Sequence, residues 1–275
     1  MEEFVIKEEC KLSEFLKKKY PFIGYSVIQK LIRKKEIKVN NKRVADDVLL
    51  KMNDVICVYT SNIYSTKIEI VYQDDNIIIV NKPAGIEVCD SENSLEKLLF
   101  LQYQIKVFAA HRLDMNTKGL IMLAKTQNAK NELEKAFKNH DLNKLYLVQV
   151  FGTPKNQEKL VAYLKKNSDE SYVQISNTAK PGYVKILTNY KLIKSENGIS
   201  TLEIDLLTGK THQIRAHLAH IGLPVVGDDK YGDKELNKKI KKHRQQLVAY
   251  KLEFVSLGGE LSYLNGKSFQ IDVKF

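Results

Sequence analysis

The run His111-Arg112-Leu113-Asp114-Met115-Asn116-Thr117-Lys118-Gly119 lies between two apolar segments and puts a carboxylate beside a guanidinium, in a turn just ahead of an apolar strand. Nearby positive charge lowers an aspartate pKa, and a carboxylate held ionised and oriented can act as a nucleophile. A turn aspartate that caps its own backbone gives the same local pattern. A second run, Leu206-Leu207-Thr208-Gly209-Lys210-Thr211-His212-Gln213-Ile214-Arg215-Ala216-His217, reads as a strand end passing through Thr-Gly into a short helix, with Gly222 as a left-handed cap ahead of Pro224. Arg215 there offers a bidentate fork for a carboxylate or phosphate, or a surface ion pair. His217 and His220 share a helix face with His212 nearby, but no acidic or cysteine partner stands at ligand spacing, so no metal site is expected. In Lys144-Leu145-Tyr146-Leu147-Val148 the Lys and Tyr share a strand face with Val148 and Val150. A Tyr so placed is either a core residue or one that stacks on a base or moves a proton. Finally, Val80-Asn81-Lys82-Pro83-Ala84-Gly85 leaves a strand with a Lys able to touch phosphate.

The elements that must position these residues fall into two groups. In residues 12–59, Leu12, Phe15 and Leu16, then Ile28, Leu31 and Ile32, mark two short helices, with Ser26 and Gln29 as a capping box for the second. Ile37 and Val39 follow as a strand, Asn40-Asn41 as a turn, and Val55 to Val58 as a further strand. Lys30, Arg33, Lys34, Lys35, Lys38, Lys42 and Arg43, against Glu36 alone, form a basic strip. Residues 60–66 are polar and unpatterned. Beyond them, strands are expected over 68–72 and 77–80 around a Gln-Asp-Asp-Asn turn, and again over 120–123, 145–150 and 201–206, with a helical stripe at Leu133, Ala136 and Phe137. No repeated β-α unit with a Gly-rich turn is present, which argues for an α+β fold with a mixed, largely antiparallel sheet rather than a dinucleotide-binding one. The polar region 155–176 gives no pattern.

With 275 residues and 43% hydrophobic composition, two domains are expected. Net charge is +11, which biases the chain toward polyanions, because neutralising phosphates releases counterions. No apolar run approaches the roughly 18 residues of a spanning helix, and Met-Glu-Glu-Phe is no signal peptide; no membrane partner and a cytoplasmic location are expected. Cys10, Cys57 and Cys89 suggest neither a disulfide framework nor a zinc ribbon. A second basic cluster, Lys234, Lys238, Lys239, Lys241, Lys242 and Arg244, is either more surface for a polyanion or a solvated helix face.

Together these stretches resemble the RluA-type pseudouridine synthases. Lys82 to Gly85 is similar to that family's Lys-Pro-x-Gly loop, His111 to Leu120 to its His-Arg-Leu-Asp signature, Lys144 to Tyr146 to its Lys-x-Tyr strand, and Thr208 to Arg215 to its Thr-Gly-Arg-x-His-Gln-Ile-Arg helix entry, with Lys210 for the Arg and Lys118 for a usual Ser. The match extends over Val226-Gly227-Asp228-Asp229-Lys230-Tyr231-Gly232. Residues 12–59 resemble the RNA-binding domain of ribosomal protein S-four, and the combination looks most like the RluC and RluD branch, which acts on large-subunit ribosomal RNA. The resemblance implies a small α/β RNA-binding domain at 1–60, a linker at 61–67 and a pseudouridine synthase domain at 68–275 with an active-site cleft. Asp114 becomes the nucleophile, attacking either the ribose anomeric carbon or the uracil ring. Arg215 becomes its ion-pair partner, and Tyr146 packs on the flipped base and is a candidate to take the C5 proton. Arg112, His111, Lys82 and Thr117 are implied to bind substrate, as are Lys144, Lys210, His212 and Gln213, with the basic strip on RNA. No cofactor, metal or obligate protein partner is implied, and a monomer is the default. A transfer RNA target, or a noncatalytic RNA-binding or ribosome-assembly factor, are the alternatives. A nucleoside glycosidase would need a second carboxylate working with Asp114, and none is expected from these motifs.

Overall fold

The computed structural model describes residues 2–20, 25–59, 67–91, 94–166 and 172–275, Ser26 by its backbone alone. The segment read as a linker therefore lies almost wholly outside the described residues, as does the side chain of the Ser26 capping box. In chain order the elements are β1 (Glu2–Val5), β2 (Cys10–Lys11), α1 (Leu12–Lys19), α2 (Tyr25–Arg33), β3 (Ile37–Val39), β4 (Lys42–Arg43), β5 (Leu49–Leu50), β6 (Val55–Val58), β7 (Glu69–Gln73) and β8 (Ile77–Lys82). There follow α3 (Leu95–Tyr103), β9 (Phe108–Ala109), β10 (Lys118–Ala124), α4 (Gln127–Asn139), β11 (Leu142–Phe151), β12 (Gln157–Lys166), β13 (Val173–Ser176), β14 (Val184–Glu196) and β15 (Ile199–Asp205). The chain closes with α5 (Gln213–His220), α6 (Lys234–Lys239), β16 (Leu247–Phe254), a 3-10 turn at Gly259–Leu264 and β17 (Ser268–Gln270).

Two compact units result: Met1–Ile68 with Cys89–Lys106, and Glu69–Val88 with Val107–Phe275. The division differs from a cut at one linker, because α3 belongs to the first unit; Tyr103 donates to the carbonyl of Ile68 and Leu101 packs on that unit's core. In the first unit the apolar stripes of α1 and α2 (Leu12, Leu16, Ile28, Leu31, Ile32) bury against Ile37, Ile56 and Val58 of the antiparallel sheet β1-β6-β3-β4. Val39 pairs with Lys42, leaving a two-residue loop, Asn40-Asn41, with both φ angles positive (49° and 64°). Asn tolerates that region, and the resulting twist matches the strands.

The second unit is built on one sheet in the order β13-β12-β14-β15-β11-β16-β10-β8-β7, with β17 beside β16 and β9 beside β10. Its named pairings are antiparallel except β10 with β16, so the sheet is mixed and largely antiparallel, with α4 and α5 packed on it. The stripe Ala129, Leu133 and Ala136 of α4 covers Ile77, Ile79, Leu120 and Met122. Gly119, at the parallel junction, has φ +111°, and a Cβ there would sit 2.1 Å from the Ala249 carbonyl oxygen. Only glycine allows β10 and β16 to approach so closely. The unpatterned stretch 155–176 holds β12 and β13; Leu160, Ala162 and Leu164 of β12 are buried and the residues between them are not.

Candidate active site

The turn that carries Asp114 is fastened from three sides. Thr117 N donates to the Asp114 carbonyl at 3.0 Å, Gly85 N donates to the Met115 carbonyl at 2.9 Å, and Lys82 Nζ donates to the same Met115 oxygen at 3.0 Å. Lys82 also donates to Pro83 O at 3.0 Å and Ile86 O at 2.8 Å and is fully buried. All three ammonium donors are used on backbone. Its expected phosphate contact is therefore corrected: Lys82 ties the Lys-Pro-x-Gly loop to the Asp114 turn. Burial lowers its pKa to about 8, with the Asp114 charge acting in the opposite sense.

Asp114 opens onto a cavity of ≈ 440 Å³. The cavity wall brings together residues read from three separate stretches of sequence: His111, Arg112, Asp114 and Thr117; Lys144 and Tyr146; and Lys210, His212, Gln213 and Arg215. The start of α5 delivers Arg215, whose Nη1 donates to Asp114 Oδ2 at 3.1 Å. The remaining carboxylate oxygen, Oδ1, accepts no hydrogen bond among the described residues. Arg215 is only 3% exposed and spends the rest of its fork on a second carboxylate: Nε donates to Asp228 Oδ2 at 2.6 Å and Nη2 to Asp228 Oδ1 at 2.8 Å. A longer contact runs from Nη2 to Asp229 Oδ1 at 3.2 Å. Burial alone would lower the Arg215 pKa, but Asp228 and Asp114 outweigh it and raise it. Burial would likewise raise Asp228, but Arg215 and the N–H groups of Tyr231 and Lys230 hold it below the ordinary carboxylate range. A second carboxylate does stand close to Asp114, but not as a partner in acid-base chemistry. Asp228 is one guanidinium away, yet its oxygens are filled by Arg215 and by Lys230 N (2.8 Å) and Tyr231 N (2.9 Å). It orients Arg215 and has no free oxygen for acid-base work.

Tyr146 enters on β11 just after a register shift between Leu145 and Tyr146 against β16. Its phenol is pushed upward in pKa, first by burial and then by the Asp114 charge, and no side-chain or backbone group among the described residues hydrogen-bonds to it. It is a neutral phenol facing the cavity, which disfavours the base role read from sequence and leaves the packing role. His111 is also neutral: burial, then Lys144, lower its pKa to about 3. Its Nε2 accepts from Met122 N at 3.2 Å and its ring lies on Phe137 at 4.1 Å between centroids, so it braces the turn rather than offering a charge. Thr117 is buried with its hydroxyl accepting from Gln245 Nε2 at 2.8 Å.

Gln213 is corrected in the same way as Lys82. Its Oε1 accepts from Thr208 Oγ1 (2.8 Å) and Lys210 N (3.1 Å), and its Nε2 donates to Leu187 O (3.0 Å) and Thr188 Oγ1 (3.0 Å). Every amide position is taken, so it fixes the Thr-Gly loop to β14 instead of touching a substrate. His212 starts α5 with φ 53° and its Nδ1 meets Tyr231 Oη at 3.0 Å. Tyr231 lies against the Arg215 guanidinium at 5.3 Å. Arg112 and Lys210 are exposed at the cavity, and Lys144 has its pKa lowered by burial. His217 and His220 are bonded to Thr188 Oγ1 at 3.0 Å and Asn177 Oδ1 at 2.7 Å. Asp228 and Tyr231 had no role in the sequence reading; the one signal for them was the Val226–Gly232 match, which carries no indication of what its Asp faces.

A cleft whose one oriented carboxylate has a free oxygen, walled by a neutral aromatic and exposed cations, suits attack on an uncharged part of a polyanion. The RNA pseudouridylate synthase family model matches residues 76–220 of the 275. An uncharacterized RNA pseudouridine synthase of Mycoplasma capricolum is 35% identical over 93% of this chain and 91% of its own. A ribosomal large subunit pseudouridine synthase C of Rickettsia felis is 32% identical over 82% and 83%. Human RNA pseudouridylate synthase domain containing 1 superposes with a TM-score of 0.59 at 25% identity, covering 68% of this chain and 78% of that one. The chain belongs to the RNA pseudouridylate synthase family, and it is an isomerase that acts on RNA.

Proposed function

We propose that the enzyme converts specific uridines of large-subunit ribosomal RNA to pseudouridine, with Asp114 as nucleophile. The observation that carries this reading is the Arg215–Asp114 contact inside the cleft: one carboxylate oxygen is held by a guanidinium that Asp228 has already fixed, and the other faces the cavity. The target uridine is flipped out of its stack, at a cost of a few kcal/mol. Oδ1 of Asp114 then attacks; addition at the anomeric carbon or at the uracil ring both give a covalent adduct in which N1–C1′ breaks and the base turns. C5 joins C1′, the bond between Asp114 and the substrate breaks and returns its electron pair to the carboxylate, the C5 proton leaves and N1 gains one, so atoms and charge balance without a redox step. Tyr146 packs on the uracil face and, as a neutral phenol beside Asp114, keeps water from the free base. Arg112, Lys144 and Lys210 meet the flanking phosphates. The basic strip Lys30, Arg33, Lys34, Lys35, Lys38, Lys42 and Arg43 serves as an RNA contact of the first unit, whose α1-α2-β3-β6 order supports the S-four-type reading. The ribosomal target rests on the names of relatives such as the Rickettsia felis protein, and cytoplasmic action follows from it; among the described residues no helix is long and apolar enough to cross a membrane.

The reading is tested by mapping pseudouridines in ribosomal and transfer RNA from cells with and without the gene. Loss confined to large-subunit ribosomal RNA is expected; loss confined to transfer RNA would overturn the target.

A further inference from the structure

Between Val226 and Gln246 the chain makes an excursion whose two ends are joined by Gln246 N donating to Val226 O at 2.9 Å. Its tip carries Lys234, Lys238, Lys239, Lys241, Lys242 and Arg244 against Asp233 and Glu235. Among the described residues, none of these six cations lies within ion-pair distance of a carboxylate, and Asp233 is committed as the cap of α6, accepting from Leu236 N at 2.9 Å. A merely solvated charge run repels itself and has no need to be held. This one is pinned: Asn237, 8% exposed, accepts from Gly227 N at 2.6 Å and donates to Asp228 O at 3.4 Å. Gly227 (φ +73°) and Gly232 let the backbone close up, since a Cβ would meet Arg244 O at 2.0 Å or Asp228 O at 2.3 Å. The root of the excursion is the wall of the active site itself, Asp228 on Arg215 and Tyr231 on His212. Beside that root stands Tyr172, 43% exposed, edge-on to Tyr231 at 5.5 Å and under Lys230 Nζ at 5.8 Å. Unpaired cations on a segment with an exposed aromatic at its root are what a nucleic acid strand binds, phosphates on the charges and a base on the ring.

We propose that the Asp233–Arg244 segment, with Tyr172 at its root, is the surface on which the catalytic unit grips the RNA flanking the target uridine. This rests on the RNA substrate of the reading above and assigns it a docking site outside the cleft. It predicts that the surface acts in binding and not in the chemical step.

The test uses the full chain and an unmodified large-subunit ribosomal RNA transcript. Lys238, Lys239 and Lys242 are changed together to Gln, and Tyr172 to Ala and to Phe. The control is Lys159, Lys185 and Lys191 to Gln, an equal loss of charge on β12 and β14. Losing three phosphate contacts lowers the slope of log K against log salt by about 2 and raises KM at physiological salt about tenfold. kcat at saturation stays within about twofold, as expected for groups that bind ground and transition state alike. Tyr172→Ala raises KM by about tenfold while Tyr172→Phe does not, because stacking needs the ring alone. An unchanged salt slope and KM in the triple variant, or an equal change in the control, overturns the proposal, and a KM indifferent to Tyr172→Ala removes the ring from it. Binding is read directly on the transcript, so absence of pseudouridine formation by wild type would refute the target while the salt slope still decides the docking surface.

Discussion

Replacing Asp228 by Asn probes the site at the point where folding and catalysis meet. The side chain is 1% exposed and accepts four hydrogen bonds, from Arg215 Nε and Nη2 and from Lys230 N and Tyr231 N. Three of them converge on Oδ1, so the amide oxygen of Asn takes that place and its NH₂ is left facing Arg215 Nε, donor against donor, across a gap that is 2.6 Å in the wild type. Removing one partner of a buried ion pair costs about 3 to 5 kcal/mol. Arg215 keeps Asp114 and the exposed Asp229, which places the loss near the lower end, about 3 kcal/mol. For a unit of this size that is a fall in Tm of roughly 6 to 12 °C. The guanidinium also shifts off Asp114, and a misplacement of about 1 Å costs about a hundredfold in rate. The pH dependence carries a sign. Because the folded carboxyl is held below its unfolded value, its stabilisation is complete above the ordinary carboxylate range and is lost as pH falls through the folded pKa. Differential scanning fluorimetry from neutral to acid pH, with single-turnover kinetics at a permissive temperature, reads all three. A variant with wild-type Tm and kcat, or one that keeps the full acid-labile increment, refutes the assignment of Asp228 as the residue that positions Arg215.

Other predictions follow from the same geometry. Lys82→Met strands three backbone carbonyls and is expected to lower Tm. Burial holds the folded pKa of Lys82 near 8, below its unfolded value, so the unfolded chain binds the extra proton above that pH and wild-type stability rises from about pH 8 upward, an increment absent in the variant; equal profiles by urea titration would contradict this. Gln213→Glu puts a carboxylate against the Leu187 carbonyl and should cost about 2 kcal/mol in chemical denaturation while leaving KM for RNA nearly unchanged at a temperature where it is folded; a large KM effect without loss of stability would return Gln213 to the substrate. Tyr146→Phe is expected to change the height of the kcat/KM profile between pH 6 and 9 but not its shape, since the phenol stays protonated there; a limb that vanishes with the hydroxyl would make Tyr146 a base.

How much of this was readable in the sequence depended on whether the cause of each feature was local. The Asn40-Asn41 turn, the stripes of α1, α2 and α4, and the Gly222 cap all express short-range preferences, and each appears where its pattern stood. Asp114, Arg215 and Tyr146 are far apart in sequence, and family resemblance, not spacing, brought them to one cleft. Lys82 and Gln213 were misjudged for a common reason. A polar side chain in a motif looks available until the groups that surround it are known, and decisive ones here, Met115 O for Lys82 and Leu187 O for Gln213, belong to other segments. Asp228 was silent because its partner is contributed by α5. β12 was passed over because its run Leu160-Val161-Ala162-Tyr163-Leu164 shows no apolar-polar alternation although only one of its faces is buried, and its flanks are polar.

The central claim is that Asp114 forms pseudouridine in large-subunit ribosomal RNA, and the most direct measurement is release of tritium from uridine labelled at C5 in that RNA, wild type against Asp114→Asn. Arg215 retains Asp228 in the variant, so the fold and RNA binding should persist. Release by wild type alone, with equal RNA binding by both proteins, is the predicted result. Equal release by the two proteins would contradict the role of Asp114, and no release by wild type would contradict the target.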